Sequence, residues 1–233
     1  MNEQDLNLYI GNNINKIRKI IEDTCKRVGR DSKEVMLLAV SKTKPIDYIK
    51  SAINKEQRVF GENKVQEILD KYEHNLDVSW HMIGHLQTNK VKYIVDKVDL
   101  IHSVESLKLA NTINKEAQKK NVVCDILVEV NVAEEDSKFG INIEECETFI
   151  RQISELPNIR VRGLMTIAPF VDNPEENRVH FRKLKEVFVD INNKNIHNVN
   201  MDVLSMGMSN DYEVAIEEGS TIVRVGTGIF GVR

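Results

Sequence analysis

The chain has 233 residues, 41% of them hydrophobic and 29% charged, with a formal net charge of −4. That balance is an ordinary globular one and excludes a global basic field that would draw nucleic acid or an acidic membrane surface. No run of about 18 apolar residues occurs, and the polar start Met1-Asn2-Glu3-Gln4-Asp5 lacks the basic and apolar regions of a secretory signal, so a cytoplasmic location without membrane contact is expected.

Residues 3–28 carry Leu6, Ile10, Ile14, Ile17, Ile21, Cys25 and Val28 at spacings of three and four, one apolar stripe of a helix that Gly29 and Arg30 end. The helix precedes the first strand and is expected outside or beneath the main fold. Beyond it, short apolar runs alternate with helical patterns. Strands are predicted near 35–41, 58–61, 79–84, 99–103, 123–131, 160–166, 201–205 and 221–225, and helices near 46–55, 63–73, 88–96, 105–119, 143–155, 174–193 and 210–218. Asn173 as N-cap, Pro174 in first helical position and Glu176 for a capping box start the sixth of these helices. This alternation predicts an α/β protein, a single (β/α)8 TIM barrel with an extra N-terminal helix. An open doubly wound sheet is the alternative, but it rarely needs eight strands, and no Gly-x-Gly-x-x-Gly follows the first. No linker composition divides the chain, so one domain over 1–233 is expected, with 1–30 as the extra helix. The three cysteines, Cys25, Cys124 and Cys146, lie far apart without metal spacing and suit a reducing compartment.

Barrels of this type place chemistry at the C-terminal ends of their strands. The first strand ends in Lys42. By alternation Leu38, Val40 and Lys42 share a face and Ser41 opposes them. An amine above apolar side chains loses solvation of its charged form and becomes a nucleophile; alternatively, Lys42 opens a solvated loop before Pro45. At the far end of the chain, Ser209 precedes the helix starting near Tyr212, and Gly226-Thr227-Gly228 form a small-residue loop. Loops after strands seven and eight of such barrels often take phosphate, through helix N-termini and bare backbone. Ser209 is equally explained as an N-cap alone, and the glycines as turns. Arg224 shares a face with Ile222 and should point inward, where a guanidinium needs a partner: Glu129, which alternation also turns inward, or a ligand. His81, His85 and His102 lie near the rim without the spacing of a metal triad, and Met206 and Met208 suit packing. An amine at one end and anion donors at the other describe an aldehyde cofactor with a phosphate tail, pyridoxal 5′-phosphate. A phosphorylated sugar held on Lys42, as in aldolases, satisfies the same chemistry.

Longer stretches are more specific. They are Leu37-Leu38-Ala39-Val40-Ser41-Lys42-Thr43-Lys44-Pro45, Phe60-Gly61-Glu62-Asn63-Lys64-Val65-Gln66-Glu67, and Trp80-His81-Met82-Ile83-Gly84-His85-Leu86-Gln87-Thr88-Asn89-Lys90. Gly163-Leu164-Met165, Ser205-Met206-Gly207-Met208-Ser209-Asn210-Asp211 and Val223-Arg224-Val225-Gly226-Thr227-Gly228-Ile229-Phe230-Gly231 join them. Through these motifs the chain, from about residue 10 onward, resembles the pyridoxal phosphate homeostasis protein family. The resemblance implies a barrel like the N-terminal domain of bacterial alanine racemase, with the cofactor attached to Lys42 as a Schiff base. It places Ser209, Gly226 and Thr227 at the phosphate, Arg224 near the pyridine nitrogen, and Asn63, Met165 and Ser205 around the rest of the pocket. It implies a protein that buffers or delivers pyridoxal 5′-phosphate, with cofactor-dependent apo-enzymes as recipients, a monomer, and no catalytic residue beyond the attachment lysine.

A racemase-like enzyme is the alternative. An arginine beside the pyridine nitrogen disfavours its protonation, and two-base racemisation needs an acid–base group on each face of the substrate carbon. In alanine racemase-like enzymes a second domain supplies the other group, and a chain ending at Arg233 is expected to lack it. Lys44, two residues beyond Lys42, is either a surface lysine or a second amine for cofactor transfer.

Overall fold

A computed structural model describes residues 2–135 and 139–232. The apolar runs form strands β1 (Met36–Val40), β2 (Val59–Glu62), β3 (Ser79–Met82), β4 (Leu100–Val104), β5 (Cys124–Glu129), β6 (Ile159–Met165), β7 (Val199–Met208) and β8 (Ile222–Val225). They pair in sequence order, and β8 returns to β1 in parallel, Leu38 opposite Arg224, which closes the expected barrel. Around it run α1 (Glu3–Arg27), α2 (Ile46–Ile53), α3 (Val65–Tyr72), α4 (Val91–Ile94), α5 (Leu107–Lys119), α6 (Cys146–Ser154), α7 (Arg178–Asn193), α8 (Tyr212–Glu217) and α9 (Thr227–Phe230).

Two elements differ from expectation. The helix expected near 88–96 is a 3-10 turn, Thr88–Lys90, followed by one α-helical turn. Val91, Ile94 and Val95 bury within that short span. The loop expected after β8 contains the turn of α9, which begins at Thr227 behind Gly226.

The extra N-terminal helix α1 is present as expected and packs on the outside of the barrel. Its stripe, Leu6, Ile10, Ile14, Ile17, Ile21 and Cys25, is buried in one cluster with Leu37 and Ala39 of β1 and Val223 and Val225 of β8. The same cluster takes in Ile49 and Ala52 of α2, Ile216 of α8 and Ile229 and Phe230 of α9. After β8 the chain forms only the single turn α9, which leaves the outer faces of β8 and β1 to α1. Helix α1 therefore covers the β8–β1 seam and supplies the eighth wall.

Alternation sorts the strand residues cleanly. Leu38, Val40, Ile83, Leu100, Leu127, Met165 and Ile222 fill the barrel, while Leu37, Ala39, Phe60 and Trp80 face the helices. Gly163 is required where β6 meets β7: its φ is +149°, and a Cβ there would lie 1.8 Å from the Val203 carbonyl oxygen. The register of both flanking pairs shifts at this point. All three cysteines are free and buried, and burial pushes the Cys124 and Cys146 thiols up to about 12. Among the described residues no helix is long and apolar enough to cross a membrane.

Candidate functional site

Strand β1 sends Leu38 and Val40 inward and ends with Ser41 turned to the helix side, where its buried hydroxyl donates to Glu62 Oε1 at 2.6 Å. Lys42 follows just beyond the strand, half-buried. With Val40, Thr43, Lys44, Gly226, Thr227 and Gly231 it lines a small cavity of about 40 Å3. The turn beyond it is strained, since Thr43, a β-branched residue, sits at φ +64°.

A buried polar group holds that turn. Lys71 Nζ, on α3, donates to the Ser41 carbonyl at 2.9 Å and to Glu62 Oε1 at 2.7 Å, and the Thr43 N–H donates to Glu67 Oε2. Glu62 is wholly buried, and among the described residues its Oε2 has no hydrogen-bond partner. Burial pushes its carboxyl up to about 7, against the pull of Lys71 and the Ser41 hydroxyl.

Across the mouth, the ends of β7 and β8 are tied together. Ser209 was open to reading as the N-cap of the following helix. The cap position is instead Asp211, and no side chain caps α8. Ser209 Oγ accepts from the Gly226 N–H at 3.3 Å, while Asp211 is drawn to the Met208 N–H and the Asn177 amide. A Cβ on Gly226 would approach the Val40 carbonyl oxygen to 3.3 Å, so bare backbone there runs close beside the end of β1.

Arg224 points inward as expected, but its hydrogen bonds do not go to Glu129. The guanidinium donates through Nη1 to Ser205 Oγ at 2.6 Å and through Nη2 to the Thr166 carbonyl at 2.7 Å. Burial lowers its pKa to about 10, with Asp211 and Glu129 opposing through their charge. Glu129 is inward and buried, and burial raises its carboxyl to about 7.

The remaining predicted residues fall around this frame. Met165 lies in the barrel interior, in register with Ser205. Asn63 follows β2, and its carbonyl oxygen lies 2.5 Å from where a Cβ on Gly84 would sit. Lys44 is no free surface lysine: Nζ donates to the carbonyls of Gly231 and Val232 at 3.2 Å each and lies 5.4 Å from the Tyr48 ring centroid. Of the rim histidines, His85 pairs with Glu105 at 3.1 Å and stacks on Phe139. His81 and His102 are buried inside the barrel and bonded to each other. Glu62 and Lys71 were missed by sequence reasoning. Their signal was available: alternation from Phe60 turns Glu62 to the helix side, where a carboxylate demands a cation.

A larger cleft, about 430 Å3, lies at the opposite end of the barrel between α1 and the starts of β1 and β2, with Arg18, Arg58, Glu22 and Glu56 among its lining. Barrel chemistry belongs at the C-terminal ends, and the smaller cavity lies there, between an amine and a small-residue loop.

Comparison with known proteins agrees with this barrel. Residues 13–233 match the family model described as alanine racemase, N-terminal domain. Alanine racemase from Corynebacterium glutamicum has the same fold at a TM-score of 0.75, with 12% identity over 97% of this chain and 62% of the racemase. The chain is thus a barrel of the alanine racemase N-terminal type. The pyridoxal phosphate homeostasis protein of Aquifex aeolicus is 48% identical over 222 residues, 94% of this chain and 96% of the relative. PipY of Synechococcus elongatus, solved with PLP bound, superposes with a TM-score of 0.79 at 32% identity, covering 91% of this chain and all of PipY. The chain belongs to the pyridoxal phosphate homeostasis protein family.

Proposed function

We propose that this protein binds pyridoxal 5′-phosphate covalently on Lys42 and serves to hold and release it, in the homeostasis role for which its relatives are named. The observation that carries the reading is the shared cavity. Lys42 of the β1 end faces Gly226 and Thr227 of the β8 end across it, with Ser209 bonded to Gly226 alongside. The donor set fits the cofactor: an amine for the aldehyde, a serine, a threonine and bare backbone for the phosphate, and a buried guanidinium for the ring nitrogen. When bound, the cofactor supplies the aldehyde that bonds to an amine.

Each residue has a part in that holding. Lys42 is the attachment point, kept at the mouth by the Ser41, Glu62 and Lys71 network beneath it. Ser209, Gly226 and Thr227 take the phosphate, and Met165, Ser205 and Asn63 border the ring. Arg224 can only donate, and with a pKa near 10 it stays cationic at neutral pH. A ring nitrogen beside it keeps a lone pair rather than a proton. That weakens the electron-sink chemistry that turnover needs and favours holding over catalysis. The PLP bound in PipY and the names of the full-length relatives support the same reading. The recipients are apo-enzymes that use the cofactor.

Absorbance spectroscopy tests it. The purified protein mixed with pyridoxal 5′-phosphate is expected to develop the visible band of the lysine-bound cofactor, absent in Lys42→Ala. A protein that stays colourless refutes the binding, and a fast amino-acid racemisation that depends on Lys42 refutes the holding role.

A further inference from the structure

The barrel interior above its apolar floor is crossed by a chain of buried polar groups. Arg224 Nη1 donates to Ser205 Oγ at 2.6 Å; Ser205 Oγ lies 3.1 Å from His102 Nδ1; His102 Nε2 lies 2.9 Å from His81 Nδ1. The four residues come from β8, β7, β4 and β3. Each is at most 5% exposed.

The direction of the chain follows from counting donors. A guanidinium only donates, so Ser205 Oγ is the acceptor of the first bond. Ser205 is fully buried, and among the described residues its side chain bonds only Arg224 and His102. Its own proton is satisfied only by donation to His102 Nδ1. His102 then carries its proton on Nε2 and donates it to His81 Nδ1. Burial holds both imidazoles in the neutral form this requires, His81 down to about 4 and His102 well below its usual value. Every hydrogen bond therefore points away from the guanidinium. Ser205 is left with its lone pairs on Arg224, while Thr166 fixes the other arm.

We propose that His102, backed by His81, is a positioning residue for the cofactor's ring nitrogen: it turns the Ser205 hydroxyl so that Arg224 is held at one fixed angle toward that nitrogen. This rests on the cofactor reading above and assigns a role to two buried histidines that the proposed holding of aldehyde and phosphate does not use. Without the His102 acceptor, Ser205 must turn its proton elsewhere, and the guanidinium is free to rotate about the Thr166 bond. His102→Asn keeps an acceptor where Nδ1 stood and loses only the link to His81.

The test compares two ligands on the full chain: pyridoxal 5′-phosphate and its carbocyclic analogue, in which C–H replaces the ring nitrogen. Affinity is read from the visible band, and folding from the melt of the cofactor-free protein. His102→Leu is expected to weaken the cofactor about tenfold and to shift its band, with the analogue unchanged. His102→Asn is expected to restore cofactor affinity and band position. Where His102→Leu does not fold, His102→Phe, which likewise lacks the acceptor for Ser205, carries the test, with a similar loss expected for the cofactor alone. An equal loss for both ligands, or no loss for either, overturns the positioning role and leaves the cofactor reading intact. If the unsubstituted protein takes up neither ligand, both fall.

Discussion

Lys71→Met isolates the polar group under Lys42. Glu62 is wholly buried, with one oxygen shared by Lys71 and the Ser41 hydroxyl and the other without a hydrogen-bond partner among the described residues. Breaking a buried ion pair usually costs about 3–5 kcal/mol, but this carboxyl has an escape. Its pKa is already about 7 against an ordinary 4.5, so without the cation it keeps its proton. The immediate loss at pH 7 is then about 1–2 kcal/mol, mainly the Ser41 carbonyl left without Lys71. The larger effect lies at higher pH. A raised carboxyl binds a proton in the folded state that the unfolded state has released, so stability falls as pH rises from the unfolded value to the folded one. In the natural protein that fall spans pH 4.5 to 7 and then stops. In the variant it continues, at about 1.36 kcal/mol per unit, so the gap between the two widens by up to about 2.7 kcal/mol from pH 7 to 9. Urea unfolding at pH 7, 8 and 9 measures this, with Glu62→Gln/Lys71→Met as the control that should show no widening. Parallel curves for natural protein and variant would refute the buried-carboxyl account.

Two further outcomes follow from the site. His81 is held near 4 by burial, whereas the unfolded chain protonates it below about 6.5. Stability is therefore lost as pH falls through that window, by about 3 kcal/mol from this group, and His81→Asn should be flatter than the natural protein over pH 4–6.5 in acid unfolding; identical profiles would count against a neutral buried pair. Ser209→Ala removes the hydroxyl bonded to Gly226 and is expected to weaken pyridoxal 5′-phosphate about tenfold while leaving phosphate-free pyridoxal unchanged in equilibrium titration.

The barrel was legible because its strands are continuous apolar runs with period-two sorting, and because both ends of the site lie in local motifs. Alternation puts Leu38 and Val40 on one face, and both lie inside the barrel; Lys42 lines the cavity just beyond them. What was not legible depends on long-range pairing. Nothing local to Ser209 says that its hydroxyl reaches Gly226, 17 residues away, rather than the helix next to it. Arg224 was given Glu129 or a ligand as its partner, Glu129 because alternation turned both inward. Alternation fixes the face of a strand and not the height within the barrel, and stagger brought Ser205 and the Thr166 carbonyl closer. His102 and Ser205 are separated by 103 residues, a contact that only closure of the sheet creates.

Helix α1 shows why the Gly226-Thr227 loop, proposed to take the phosphate, depends on the other end of the chain. A single turn, α9, follows β8, and one turn cannot bury the outer faces of Val223 and Val225. The apolar stripe of α1 covers them, and Asn13 adds a 2.9 Å hydrogen bond to the Ile229 carbonyl, which caps the contact to α9. Gly226 and Thr227 thus lie between a buried strand on one side and a turn pinned by α1 on the other. Lys44 closes the same corner from β1, gripping the carbonyls of Gly231 and Val232. The residues proposed to take the phosphate are therefore positioned from outside the barrel, by the first helix, and from across the mouth, by the loop that carries Lys42. Because Lys44 ties the loop that carries Lys42 to the segment after Gly226 and Thr227, a displacement of either strains the same two hydrogen bonds.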